Sequence, residues 1–191
     1  MLGDLGHDVE SSVFTICDFN HTGREINLKG LLRANEEKEV VAVKRAYYAV
    51  QNVVSVFDDT LTRVPESGFS TKDCTVCTYE YRKADGARVF VFWTCASTTR
   101  KADKEKDPLL PAGQYVPVYE RPGDGFATRP HVFKWTGAPL KDPVWVDLLT
   151  GAVYEFPKKD VCVSANSTRY VNVPIYDSPC LLAERSALKL Q

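Results

Sequence analysis

The chain has 191 residues, 44% of them hydrophobic, and a formal net charge of −1. A chain of this length can bury a core without help from metal ions or disulfides. Its 24 basic and 25 acidic residues are interspersed, so it lacks the concentrated basic surface that nucleic acid requires. No stretch of the sequence stays apolar over the roughly 18 residues of a membrane helix. Neither nucleic acid nor a membrane is therefore a predicted partner.

The first strand is predicted close to the N-terminus. MLGDLGHDVESS has neither the basic start nor the long apolar stretch of a signal peptide, and the run VFTICDF at residues 13–19 follows almost at once. This apolar run predicts a buried strand. Its position indicates a chain cut from a longer protein, with Met1 added. The localisation is then undetermined, and a secreted or periplasmic parent protein stays open.

One long helix is the clearest element of the sequence. It follows a turn at residues 20–23 and a polar loop with apolar patches at Leu28, at residues 31–32 and at residues 40–41. The stretch KRAYYAVQNVVSVFDDTL at residues 44–61 has a helical period. Strand, loop and helix make half of a βα repeat, and a parallel strand needs neighbours that the sequence does not supply. The apolar residues predicted to share one helix face are Ala46, Tyr47, Val50, Val53, Val54, Phe57 and Leu61.

From Pro65 onwards the sequence is typical of antiparallel β structure. TVCTYEYRK and ARVFVFWTCAS flank Ala84-Asp85-Gly86, and Asp-Gly between alternating strands predicts a hairpin. If Asp85 and Gly86 form the turn, Tyr79 and Tyr81 face Phe92 and Phe90. Since both faces of the hairpin carry large apolar groups, we expect one face to meet a second sheet and the other to meet the helix.

Further short strands complete the predicted β region. Gln114 to Tyr119 is a candidate strand inside the charged, Pro- and Gly-rich stretch at residues 99–130. PVWVDLL and AVYEF are linked at Thr150-Gly151 as a second hairpin, and residues 161–163, 170–174 and 180–183 predict three more strands. Many short strands separated by Gly and Pro are typical of a sandwich, which we place at about residues 69–190.

The six cysteines favour neither a metal site nor an assignable set of disulfides. Cys74 and Cys77 have CxxC spacing, but they lie in a predicted strand, where residues three apart point to opposite faces. No second CxxC or histidine pair completes a tetrahedral site. We predict that the cysteines are small apolar residues, that disulfides stay possible, and that the chain needs no metal or other cofactor.

Several of these runs together resemble the C-terminal end of (β/α)8-barrel glycoside hydrolases. The helix carries RAYYAVQN at residues 45–52, a pattern similar to the last barrel helix of such enzymes. The runs REINLKGLLR, GARVFVFW, DPVWVDLLTGAVYEFP and VPIYDSPCLLAERSAL add to the likeness, which covers the chain from about Val13 to its end. The helix pattern alone is weak evidence. The same helix followed by a sandwich with the DLLTGAVY hairpin is more specific.

The resemblance implies a mainly β fold, namely an antiparallel β-sandwich preceded by one long helix and an N-terminal remnant of a (β/α)8 barrel. Residues 1–63 would be the barrel end, with VFTICDF as its eighth strand, and residues 64–191 the sandwich domain. In these enzymes the catalytic carboxylates follow barrel strands four and seven, which the sequence does not include. No acid pair in this chain suits glycoside hydrolysis, because Asp58 and Asp59 point apart on a helix and Glu36 and Glu37 lie in a loop. We therefore predict no catalytic residue.

Two residues are candidates for sugar binding at the rim of an intact barrel. Asp18 and Asn20 follow the apolar residues Val13 to Cys17 of the first predicted strand, and the active sites of such barrels lie at the C-terminal ends of the strands. The alternative is that both side chains only bond to the backbone of the turn, and His21 is predicted to be an exposed loop residue.

The predicted function is an accessory domain that packs against and stabilises the catalytic barrel of its parent chain. The alternative is a carbohydrate-binding module, for which a row of exposed aromatic rings would be needed. We favour core packing for these rings, because each alternates with Val or Phe in a strand. Without its barrel, we expect the first 40 residues to be irregular, to fold back over the helix or to pair with another copy of the chain. The aromatic candidates are Trp93, Trp135, Trp145, Tyr115, Tyr119 and Tyr154.

Overall fold

The computed structural model describes residues 1–13, 15–20, 26–94, 98–101, 115–118, 129–176 and 178–189, with the backbone alone at residues 20, 26–27, 98–101, 115–118 and 129. The fold is mainly β, as predicted, and the paired strands in each described sheet are antiparallel. The elements in chain order are α1 (Leu2–Leu5), β1 (Phe19–Asn20), β2 (Ile26–Asn27), β3 (Leu32–Ala34), β4 (Val40–Val43), α2 (Arg45–Val56), β5 (Leu61–Val64), β6 (Phe69–Ser70), β7 (Val76–Lys83), β8 (Arg88–Thr94), β9 (Thr98–Lys101), β10 (Tyr115–Val118), β11 (Arg129–Trp135), β12 (Pro143–Asp147), β13 (Val153–Glu155), β14 (Val161–Ser164), β15 (Ser167–Ile175) and β16 (Cys180–Glu184).

Two larger sheets form the body of the described chain. A six-stranded sheet has the order β13-β12-β16-β8-β7-β5, and a four-stranded sheet has the order β14-β15-β11-β6. Strand β16 lies inside the six-stranded sheet and is buried along its whole length. The predicted boundary between residues 63 and 64 falls inside β5, which pairs with β7 from Leu61↔Lys83 to Val64↔Glu80. The division into two domains stays a prediction.

The two larger sheets share one apolar core. Phe90 and Phe92 of the six-stranded sheet cluster there with Phe69 and Phe133 of the four-stranded sheet. The rings of Phe69 and Phe90 stack with their centroids 4.1 Å apart, and those of Phe69 and Phe133 are 4.8 Å apart. Contacts of this kind add to the apolar area removed from water. One face of the β7–β8 hairpin therefore meets a second sheet, as expected from the sequence.

The opposite face of the same sheet packs against the helices. Val56 of α2 and Leu2 of α1 join Val89 and Val91 in a second apolar cluster, and Phe57 contacts the ring of Tyr81 at 5.0 Å between centroids. The prediction that the hairpin is buried between a sheet and a helix is confirmed. Helix α2 thus has its apolar partner inside this chain.

The register of the hairpin differs by one residue from the predicted one. Tyr79 pairs with Val91 and Tyr81 with Val89, so these tyrosines do not face Phe92 and Phe90. The reason is the turn, in which Gly86 donates to the Lys83 carbonyl and adopts φ of +90°. A three-residue connection, with glycine in the left-handed region, replaces the predicted two-residue turn. The tyrosines therefore lie on the helix side and the phenylalanines lie between the sheets.

Helix α2 is shorter than predicted, and its buried face overlaps the predicted one only in part. It ends at Val56, and not at residue 61, because the Asp58 side chain accepts a hydrogen bond from the Thr60 amide (3.0 Å) and turns the chain into β5. Val53 and Val56 pack on the sheet, whereas Tyr47 and Val54 of the predicted docking face are exposed. The helical period shows that the helix has an apolar face, but it does not show which valines point to the sheet when valines lie on several sides of the helix.

The predicted strand at residues 13–19 is absent from the described part of the chain. Residues 19 and 20 form β1, Cys17 makes a single parallel bridge to Leu32, and Ile16 is 63% exposed. An apolar run alone does not supply the hydrogen-bonded neighbours that a parallel strand needs. The interpretation of this run as an eighth barrel strand stays a prediction about a longer protein.

The predicted polar loop contains a hairpin instead. Strands β3 and β4 pair from Leu32↔Val43 to Ala34↔Val40. Their turn is closed by Asn35, whose side chain accepts the Glu39 amide at 2.8 Å, while Lys38 adopts φ of +67°. The strands are short and flanked by charges, so their sequence pattern is weak. The structure thus inserts a β-hairpin directly before helix α2.

The remaining predicted strands are confirmed. Strand β10 pairs with β9, although Gln114 and Tyr119 at the ends of the prediction lie outside the described residues. Strands β12 and β13 form the second hairpin, with Gly151 at φ of +78° in its turn. The predicted strands at residues 161–163, 170–174 and 180–183 correspond to β14, β15 and β16.

The cysteines are not uniformly buried apolar residues. Cys77 is disulfide-bonded, whereas Cys74 is a free, exposed thiol in the turn before β7. Cys180 is buried, and its burial raises the pKa of the thiol far above the usual range. The strand predicted across both CxxC cysteines is wrong at Cys74, because the Asp73 side chain bonds to Thr75 and closes a turn there.

Candidate functional site

The predicted site residue Asp18 is a buried carboxylate. It is 5% exposed and lies one residue after the bridge between Cys17 and Leu32. Its Oδ1 accepts hydrogen bonds from the Gly30 amide at 3.1 Å and from the Lys44 ammonium at 2.5 Å. A charge removed from water requires such partners. Asp18 therefore ties the N-terminal segment to Lys44, the residue that precedes helix α2.

The surroundings of Asp18 leave little space. A side chain at Gly30 would come within 2.3 Å of the Cys17 carbonyl carbon, so glycine is required by close approach of two backbone segments. Lys44 also donates to the Leu28 carbonyl at 2.8 Å. The second carboxylate oxygen of Asp18 is buried and has no hydrogen-bond partner among the described residues. Asp18 thus holds two backbone segments and Lys44 together, and its second carboxylate oxygen accepts no hydrogen bond from the described residues.

Asn20, the second predicted site residue, lies in β1 and pairs through its backbone with Ile26. Its side chain, like the whole of His21, lies outside the described residues. The structure therefore does not place the Asn20 amide beside Asp18. Sugar binding by Asp18 and Asn20 at a barrel rim stays a prediction.

The acids considered for catalysis are separate and lie at the surface or in turns. Asp58 bonds to the Lys189 ammonium at 2.5 Å, and this hydrogen bond, with two from Thr60, holds the pKa of Asp58 well below its usual range. Asp59, Glu36 and Glu37 are exposed. A low pKa is the opposite of what a general acid for glycoside hydrolysis needs.

A buried ion pair that the sequence did not reveal lies between the larger sheets. Glu80 is fully buried in β7 and pairs with Arg88 across the hairpin, while its other oxygen accepts the Ser67 hydroxyl at 2.9 Å. The Arg88 guanidinium stacks over the Trp135 ring at 4.7 Å. The hairpin register places Glu80 opposite Phe90 and diagonal to Arg88, which lies two residues away on the same face of the sheet. Glu80 is fully engaged and does not form a catalytic pair.

The tryptophans predicted to pack in the core do so. Trp135 is buried and donates to the Ala138 carbonyl at 2.8 Å, and Trp93 and Trp145 pack against the two apolar clusters. Tyr154 is exposed beside Trp145, with ring centroids 5.6 Å apart. The side chain of Tyr115 and all of Tyr119 lie outside the described residues. The described rings do not form an exposed row.

An exposed apolar surface, which we call the α2/β4 surface, is concentrated just before and along helix α2. Strand β4 has the sequence VVAV and is exposed at all four positions. Val41 is 56% exposed, and Tyr48 and Val54 of α2 are exposed to a similar extent. Single exposed apolar residues are ordinary, but a whole apolar strand followed by exposed helix residues is a candidate for cover by a partner. We define the α2/β4 surface by Val40, Val41, Val43, Tyr47, Tyr48 and Val54.

The described residues contain no group of three or more His, Cys, Asp or Glu side chains placed to hold a metal ion. None of the helices in the described ranges is both long and apolar enough to span a membrane. A scan against known protein families finds no match, and a search of curated proteins likewise returns no match.

Proposed function

We propose that this chain is a non-catalytic C-terminal domain of a glycoside hydrolase, in which a β-sandwich packs against a catalytic (β/α)8 barrel and stabilises it. The observation that carries the proposal is the α2/β4 surface. Its valines are already about half covered, so burying the rest of each side chain contributes about 1 kcal/mol, roughly half of the value for full burial. A two-stranded sheet whose apolar strand is exposed on both faces is the kind of element that a larger body covers.

The contact between the two most specific sequence motifs supports the same proposal. Asn52, from the RAYYAVQN pattern, donates to the Leu148 carbonyl of the DLLTGAVY hairpin at 3.1 Å. A side chain at Gly151 of that hairpin would come within 2.9 Å of the Asn52 amide oxygen. The motifs on which the resemblance rests therefore hold the helix on the sheet. This arrangement leaves the other side of α2 for the barrel.

The chain contributes stability and not chemistry in this proposal. The buried acids Asp18 and Glu80 are engaged in ion pairs, and Asp58 is held ionised by its hydrogen bonds. We expect the purified chain not to hydrolyse aryl glycosides. Turnover that disappears when one of the chain's own acids is changed to the matching amide would contradict this expectation.

The binding test uses the barrel encoded by the same gene, produced as a separate protein. Titration calorimetry should detect its association with the chain, and the double variant Val41→Asp/Val43→Asp should weaken that association by about a hundredfold or more, since two charges would be buried unpaired. Val163→Asp is the matched control, because Val163 is exposed on β14. All variants should keep the melting temperature of the wild type. Equal affinity of the double variant and the wild type, or no association, would refute the proposal.

A further inference from the structure

The outer face of the four-stranded sheet carries an open pocket of about 500 Å³. Its walls come from β11, from β15 and from the chain between β6 and β7. A volume of this order lies in the range of small-molecule sites. The sequence analysis did not identify this pocket, because its residues come together only through the strand pairing.

Three positive side chains line the pocket. Lys134 of β11 lies directly opposite Arg169 of β15 in the antiparallel register. Like charges in this position repel each other, and Lys72 adds a third positive charge to the same pocket. Within the described ranges, none of these three cations has a carboxylate in ion-pairing distance. Among the described residues, the pocket is therefore lined by three cations that are not ion-paired.

The one acid in the pocket is already engaged. Asp73 accepts hydrogen bonds from the amide and the hydroxyl of Thr75, at 2.8 and 2.6 Å, and these bonds lower its pKa. Its other oxygen lies 3.2 Å from Nε2 of His131. Asp73 is therefore ionised and offsets one of the three positive charges, but it is not within ion-pairing distance of Lys134 or Arg169.

Two apolar side chains complete the wall. Pro130 and the half-exposed Val132 alternate with inward residues along β11 and stand on the same face as Lys134. They offer a small apolar surface beside the cations. A ligand that fits both features has an anionic group on a compact carbon frame, as in a sugar acid or a sulfated sugar.

We propose that this pocket binds the carboxylate or sulfate group of an acidic sugar, with Lys134 and Arg169 as the main contacts and Lys72 beside them. Arginine and lysine form charge-assisted hydrogen bonds with such groups. The anion would also relieve the repulsion between the two opposed cations. The anion contacts are independent of the proposed packing against a barrel, since they lie on a different face of the molecule, whereas the choice of a sugar rests on the proposed function.

The test compares ligands and variants by calorimetry and by NMR titration of the full chain. The probes are galacturonate and glucuronate oligosaccharides, a sulfated galactose oligosaccharide, a neutral oligosaccharide of the same length and inorganic sulfate. Binding to an acidic sugar should weaken at least about tenfold in Lys134→Gln and in Arg169→Gln, as expected for one charge-assisted hydrogen bond. Lys158→Gln, at an exposed lysine outside the pocket, should bind like the wild type.

Three results would overturn the inference or part of it. Absence of binding by every acidic sugar at millimolar concentration excludes the site. Equal affinity of the pocket variants and the wild type excludes these residues as its contacts. Binding of inorganic sulfate without binding of any acidic sugar overturns the assignment to sugars. Because Lys134→Gln removes a like-charge contact, its melting temperature should equal or exceed that of the wild type, so weaker binding cannot be attributed to unfolding.

Discussion

The docking of helix α2 gives the sharpest stability prediction, because two valines on the same helix differ in burial. Val56 is 1% exposed, whereas Val54 is 51% exposed. Shortening Val56 to alanine removes two buried methyl groups, worth about 0.8 kcal/mol each, and leaves a cavity. Together these effects cost about 2–3 kcal/mol. Alanine has the better helix propensity by up to about 0.7 kcal/mol, which reduces the observed loss.

The variant Val54→Ala is the matched control, since it changes the same residue type in the same helix but removes about half as much buried apolar area. Urea unfolding followed by circular dichroism gives the free energy of unfolding of both variants. We expect Val56→Ala to be less stable than Val54→Ala by about 1–2 kcal/mol, which corresponds to about 2–8 °C in melting temperature for a domain of this size. Equal stability of the two variants, or the reverse order, would show that α2 does not dock through Val56. The sequence alone would predict the opposite order of stability for the two variants, because Val54 belongs to the predicted docking face and Val56 does not.

Three further predictions concern buried hydroxyls and a turn. The Tyr81 hydroxyl is buried without a hydrogen-bond partner among the described residues, so the variant Tyr81→Phe should be neutral or slightly stabilising. The Tyr170 hydroxyl accepts a hydrogen bond from the Leu140 amide at 2.8 Å, so Tyr170→Phe should lower the free energy of unfolding by about 1–3 kcal/mol. Burial raises the pKa of both tyrosines to about 12, whereas a tyrosine in the unfolded chain ionises near pH 10. The stability that comes from burying the two neutral side chains is therefore present below pH 10 and lost as the pH rises towards 12. A melting temperature that stays constant between pH 10 and 12 would contradict the burial of these tyrosines. Gly151→Ala should destabilise the chain by about 1 kcal/mol or more, because it strains a positive φ and contacts Asn52; a melting temperature equal to that of the wild type would show that the helix is not held at this hairpin.

Much of the β architecture follows from the sequence. Alternating apolar residues identify β7, β8, β12 and β15, and the Gly151 turn between β12 and β13 has an unambiguous signal. The burial of the β7–β8 hairpin on both faces also follows, because both faces carry large apolar groups. These features depend on local pattern and on total apolar area, which a sequence contains directly.

The rest depends on register and on neighbours, which the sequence does not contain. A turn one residue longer puts Tyr79 and Phe90 on opposite faces of the sheet, whereas the predicted register puts them on the same face. The pairing of Lys134 with Arg169 arises from two strands that are distant in sequence. The burial of Asp18 depends on Lys44, which is 26 residues away. The sequence analysis selected Asp18 as a candidate site residue but did not predict its ion pair with Lys44, because the local sequence pattern does not identify the partner.

The most direct test of the proposed function is hydrogen exchange of strand β4 with and without the separately produced barrel of the same gene. In the chain alone, the amides of Val40–Val43 lie in an exposed two-stranded sheet and should exchange fast. With the barrel in excess, their exchange should slow by at least about tenfold, whereas the amides around Val163 in β14 should exchange at an unchanged rate. Exchange of Val40–Val43 that is the same with and without the barrel would contradict the proposal that the α2/β4 surface packs against it.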